Sequence, residues 1–128
     1  MKRRLTETSG HYRLPHPGEL DKRVTFRLRE DTPTGDYQTA PEYSGVFTTW
    51  AKVVQVGAGT YRDSVQTDDI VTHFVTIRFR SGLTADHEAL YGDSLLRVKR
   101  ARDLNSAGRF LLLECEELGH NGGNDAFI

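Results

Sequence analysis

From Arg23 to Arg29 the chain alternates without a break: Val24, Phe26 and Leu28 fall on one side, Thr25, Arg27 and Arg29 on the other. A period of two is the pattern of a strand with one dry face and one wet face. The pattern returns along the chain. Val71, Val75, Ile77 and Phe79 alternate with Thr72, Thr76, Arg78 and Arg80 over 69–80. Leu96 and Val98 alternate with Arg97 and Lys99 over 95–102, and Leu111, Leu113 and Cys115 share one side of 109–117. A short run near 88–91 leads into the turn Gly92-Asp93-Ser94. Over 46–56 both sides are apolar, with Val46, Trp50, Val54 and Val56 on one and Phe47, Ala51 and Val53 on the other. Such a strand is covered on both faces, by core or by a partner. Six short strands separated by turns predict an all-β fold, a small antiparallel barrel or sandwich whose closure hides its edges.

The connections are long. Glu30–Gly45 carries two prolines and two glycines and reads as a loop. Gly57–Asp68 reads as a second loop, mobile through Gly57 and Gly59. Residues 1–17 and 119–128 lack periodicity and read as a flexible arm and tail around one domain over 18–118. One domain is also what 128 residues predict. A chain of this size buries a core without disulfides, and its single cysteine excludes both an internal disulfide and a cysteine metal cage. No apolar run approaches the roughly 20 residues of a membrane span. The start MKRRLTETSGHYR lacks the apolar segment of a secretory signal, so synthesis in a cytoplasm and no membrane partner are expected.

Charge is nearly balanced at −1, but unevenly spread. Residues 1–29 hold eight Lys or Arg against three acids, a balance of +5, and residues 103–128 hold five acids against Arg109, a balance of −4. Ends of opposite sign suit contacts between copies or with different neighbours, or are simply solvated tails.

Little points to chemistry. His73 lies inside a strand, where a partly buried structural histidine is expected. Asp86-His87-Glu88 is the one tight cluster of metal-ligand types, and it reads as surface polarity, since a strand turns its middle residue away. Cys115 sits among leucines, where a thiol is buried and unactivated. There is no serine elbow, no glycine-rich phosphate loop before a helix and no zinc-protease motif. No catalytic, cofactor or metal residue is assigned, and an enzyme is not expected. A small nucleic-acid-binding barrel of a mobile element is the alternative. Arg97, Lys99, Arg100 and Arg102, with Arg78 and Arg80, would supply its basic groove, although the strand over 95–102 lacks interleaved aromatics.

The order of segments resembles the phage head-tail joining family, the small head-closure or stopper proteins of long-tailed phages. The matching pieces are PGELDKRVTF (17–26), TTWAKV (48–53), HFVTIRFRSGLT (73–84), ALYGDSLLRVKRARD (89–103) and RFLLLECEEL (109–118), so the likeness spans about 17–118. It implies a non-enzymatic virion protein at the head-tail interface, made in the bacterial host cytoplasm, without cofactors. Such proteins form a ring of identical subunits, usually a dodecamer, between a portal or connector adaptor and a tail completion or terminator protein. The ring holds packaged double-stranded DNA without sequence specificity. The resemblance makes the segment between the second and third strands a channel loop, here Gly57, Gly59, Tyr61, Arg62 and Asp63. Arg23, Arg97, Lys99 and Glu116 are the charged side chains expected at subunit or partner contacts. A basic arm that cannot bury surface alone would order against a neighbour.

Overall fold

The structure, a computed structural model, describes residues 13–33 and 39–120. Six strands carry it: β1 (Lys22–Pro33), β2 (Thr39–Gln55), β3 (His73–Arg78), β4 (His87–Tyr91), β5 (Ser94–Asp103) and β6 (Phe110–His120). One helix, α1 (Ala58–Gln66), joins β2 to β3, and short 3-10 turns lie at Pro17–Glu19 and Leu104–Ser106. Every pairing is antiparallel, and the sheet closes as a barrel in the order β1-β2-β3-β6-β5-β4 with β4 against β1. Of the two expected architectures the barrel is the one formed.

The inward positions are those the alternation predicts. Val24 and Phe26, Ala51, Val75 and Ile77, Leu96 and Val98, and Leu111, Leu113 and Cys115 make one core. Phe26 stacks on Phe47 with ring centres 5.2 Å apart. Register shifts interrupt β1 between Phe26 and Leu28 and β5 at Leu95/Leu96 and Val98/Arg100. Bulges of this kind bend a strand and let a small sheet close. A second cluster of Leu20, Leu104 and Phe110, flanked by Leu14 and Leu112, attaches the segment before β1 to the barrel. At the β5–β6 turn the Asp103 carboxylate accepts from the Gly108 N–H at 2.9 and 3.1 Å. Gly108 has φ 67 there, a left-handed conformation that glycine adopts without a Cβ clash.

Several sequence expectations are corrected. Glu30–Pro33 and Thr39–Gly45 are not loop: β1 continues to Pro33 and β2 starts at Thr39, in continuous register from Leu28↔Ser44 to Pro33↔Thr39. β1 pairs with β4 only through Leu28, and β2 with β3 only from Ala51, so this hairpin extends past the barrel wall. Proline at strand ends and unpaired edges is compatible with that. Gly57–Asp68 is not a structureless loop but carries α1. β3 begins at His73 rather than Asp69 and ends at Arg78, so Phe79 is exposed instead of facing the core. Within the subunit β2 is covered on one face only: Ala51 is fully buried, whereas Val46, Trp50 and Val54 are 63, 51 and 44 % exposed. His87 and Glu88 are buried, not surface decoration. His73 is buried as expected. The last strand runs through Gly119 and His120, and residues 13–17 of the expected arm lie within the described structure. The rest of the arm and the tail, 1–12 and 121–128, fall outside the described residues.

Candidate functional site

The connection between β2 and β3 holds all five residues expected of a channel segment. Gly57 is the N-terminal cap of α1, Gly59, Tyr61, Arg62 and Asp63 follow, and no residue of the helix is buried. Nine residues are too few for a helix to stand on propensity alone. Ser64 supplies the anchor. Its hydroxyl donates to the Tyr61 carbonyl at 2.6 Å and accepts from the Val71 N–H at 3.1 Å, and its carbonyl accepts from Asp69. The chain leaves through Asp68 at φ 60. Arg62 and Asp63 make no ion pair among the described residues, and Tyr61 and Val65, one turn apart, are both exposed. A groove of about 490 Å³ runs across the outer face below the helix, from Thr60 over Val54, Phe74 and Leu112 to Arg13 and Pro15.

The basic strand suggested for nucleic acid is neutralised within the subunit. Lys99 lies 3.6 Å from both Asp69 and Glu116. Arg100 meets Asp69 at 2.7 Å and Glu114 at 3.0 Å, and Arg102 meets Glu114 at 3.2 Å. The hydrogen bond from Arg100 holds the Asp69 carboxyl below its usual range, and Glu114 and Asp69 together raise the Arg100 guanidinium. Two of the expected contact residues, Lys99 and Glu116, thus pair with each other, while Arg97 is exposed beside Glu88 in the β4–β5 register. The start of the described chain is pinned by charge too. Arg13, the His16 N–H and Lys52 hold Glu19 down to about 2.

Other unpaired cations lie off β5. Arg23, the remaining expected contact residue, sits 4.8 Å over the exposed Trp50 ring. Trp50 shares a hollow of about 160 Å³ with Pro17, Leu20, Thr49 and Arg78. Arg80 covers Phe47 at 3.6 Å, and Arg109 holds Phe79 beside it through a 2.8 Å backbone bond. None of these four arginines has a carboxylate partner among the described residues. Only the folded arrangement brings Arg23 and Arg78 together at Trp50, whereas Arg80 lies over Phe47, which stacks on the core residue Phe26.

A different group buries charge. Glu88, 3 % exposed along its side chain, pairs with Arg27 at 3.0 Å and Arg29 at 3.5 Å, and Arg27 lies 3.7 Å over the Tyr43 ring. This set ties β4 to the base of the β1–β2 hairpin. Sequence reading missed it because Arg27 and Glu88 meet only through the register of β1 with β4. Burial pushes the Cys115 thiol up to about 12, so the one cysteine is unreactive at neutral pH, as its leucine neighbours predict. Among the described residues no three His, Cys, Asp or Glu side chains are placed to hold a metal ion. No helix of the described chain is long and apolar enough to cross a membrane.

Comparison with known proteins yields a family and a fold. The family described as phage head completion protein matches residues 15–118. The protein SF1141 of Shigella flexneri 2a, solved in solution, is similar in fold, with a TM-score of 0.59 and 19 % sequence identity over 81 % of this chain and 97 % of that one. No curated protein sequence matches the chain.

Proposed function

The chain belongs to the phage head completion protein family, structural proteins of the virion that meet other virion proteins, and on that premise we propose that it forms a connector ring between head and tail. The ring closes the DNA-filled head, meets the portal or its adaptor on one side and offers the tail a docking surface on the other. The observation that carries this reading is the outer wall of β1–β2–β3. A small barrel with a complete core leaves Val46, Trp50, Val54 and Phe79 in water, with Trp50 under the unpaired Arg23 and beside Arg78. Exposed apolar side chains grouped with unpaired cations suit contact with other chains.

In this reading α1 and its flanks, Gly57 to Asp68, face the ring's channel. Arg62 is the side chain there able to meet DNA phosphate, and Tyr61 and Asp63 are available to the next subunit. Arg23 and Arg97 serve contacts between chains. Lys99 and Glu116 would do so only by exchanging their intrasubunit bond for an intersubunit one. Binding nucleic acid through β5, the alternative function, is disfavoured by the acids that neutralise that strand.

The test is to replace Gly57–Asp68 by a short turn and to count DNA-filled heads in the phage carrying the change. The barrel is expected to keep its fold, because no α1 side chain is buried. Heads are expected to lose DNA before tails join. Heads that fill, keep their DNA and join tails normally overturn the gating role and leave the ring a spacer.

A further inference from the structure

We propose that the ring is held together by the β1–β2 hairpin of one copy seated on the arginine-aromatic surface of the next. This rests on the connector reading and names its subunit contact. The hairpin's described residues beyond Arg29, 30–33 and 39–42, contain Glu30, Asp31 and Glu42 and no Lys, Arg or His. Glu30 and Glu42 stand directly opposite each other in the register, a like-charge pair that weakens a two-stranded ribbon. Thr32 donates to Glu42 at 3.2 Å and Arg29 pairs with Asp31, but Glu30 has no partner among the described residues. The hairpin extends beyond the barrel with neither strand paired on its outer side past Arg29, so the subunit does little to offset that repulsion.

The complementary surface is on the same molecule. Arg23 lies 4.8 Å over the exposed Trp50 ring, Arg78 lines the hollow beside it, and neither arginine has a carboxylate partner among the described residues. An acidic, largely extended ribbon fits such a surface, because its carboxylates meet the guanidinium groups while Pro41 and Ala40 can lie on the ring. Duplex DNA would satisfy the arginines but leaves the exposed ring uncovered, which favours the protein occupant. The two patches differ, so the contact is head-to-tail, and a head-to-tail contact closes into a ring when its rotation divides a full turn.

The test uses charge reversal in the phage. One variant carries Glu30→Arg with Glu42→Arg, a second carries Arg23→Glu with Arg78→Glu, and circular dichroism confirms that each purified protein folds. Each variant alone is expected to lower the yield of tailed particles more than about tenfold, since like charges then face each other. Both variants made in one cell are expected to restore it, because they can alternate around a ring. The chain carrying all four changes is expected to assemble as well. In otherwise wild-type particles, Glu42→Cys with Arg78→Cys is expected to give a ladder of disulfide-linked copies. Single reversals within about twofold of wild type, or a lack of rescue, overturn the contact. A patch reversal that releases DNA while the arm reversal has no effect overturns it in favour of DNA at the patch. Particle reconstructions separate the two levels: a ring with hairpins off the patch removes the contact alone, and the lack of any ring removes the connector reading itself.

Discussion

Glu88→Gln is the most informative single change, because it removes charge without changing shape. The carboxylate is 3 % exposed and lies against two arginines whose side chains are 17 % and 37 % exposed. Removing one member of a fully buried pair costs about 3–5 kcal/mol. Here water can reach part of Arg27 and more of Arg29, so a loss of about 2–3 kcal/mol is expected, with the Arg27 guanidinium as the stranded charge. For a domain of this size that lowers the thermal midpoint by about 8–12 °C. Urea melts followed by circular dichroism measure the loss, and the cycle of Glu88→Leu, Arg27→Met and their combination isolates the pair. The combination is expected to be less damaging than Glu88→Leu alone, since two apolar side chains leave no buried charge unpaired. Arg27 also lies over Tyr43, so Glu88→Gln should speed amide exchange at the base of the hairpin, around Leu28 and Ser44. A coupling energy below about 0.5 kcal/mol, with unchanged exchange there, refutes the idea that this pair fixes the hairpin to the barrel.

Trp50→Ala is expected to cost no more than about 1 kcal/mol, the span of substitutions on exposed strand faces, and to reduce particle assembly instead; a loss of about 3–5 kcal/mol in the same melts would place the ring in a core. Cys115 is expected to react with a thiol reagent only as fast as the barrel opens. Its folded value is raised above the ordinary 9.0 to about 12, so its contribution to stability is complete below pH 9 and lost as pH rises toward 12. Rapid labelling at pH 7 under native conditions contradicts its burial. Glu19 is shifted the other way, to about 2, so its bonds to Arg13, His16 and Lys52 are present above the ordinary carboxylate range and lost only as pH falls through about 2. Glu19→Gln is expected to accelerate tryptic cleavage after Arg13, and an unchanged rate shows that the apolar cluster around Leu20 holds the segment without that charge.

The strands were readable because each one contributes alternate side chains to a single core, and alternation survives in the local sequence. Val24, Phe26, Val75, Ile77, Leu96, Val98, Leu111 and Leu113 are all inside, as their spacing predicts. The hairpin over 30–42 was not readable in this way. None of its described residues is buried, so no alternation marks it, and Pro33, Gly35, Pro41 and Gly45 carry the signal of a loop. α1 was missed for a related reason. It buries nothing, and its only apolar spacing is the single pair Tyr61 and Val65. The cover of Trp50 was left open between core and partner, because an apolar strand face looks the same in sequence whether its cover is the subunit's own core or another chain.

The charged residues show where local sequence stops being informative about function. A run such as Arg97-Val98-Lys99-Arg100-Ala101-Arg102 looks like the cationic surface of the chain, yet closure of the barrel places Glu114 and Glu116 of β6 across from it, and Asp69 at its end. The isolated Arg23, Arg78, Arg80 and Arg109 look ordinary in sequence, yet like Arg62 and Arg97 they are left without acids among the described residues. Ion pairs at a surface contribute little to stability, so neutralising β5 is not needed to keep the barrel folded. Its consequence is for encounter. With Lys99, Arg100 and Arg102 paired to acids, the unpaired Arg23 and Arg78 stand beside Trp50, where exposed apolar area can be covered. An approaching acidic surface is thereby directed to one wall of the barrel, which is what a protein that must meet its neighbours in a single orientation requires.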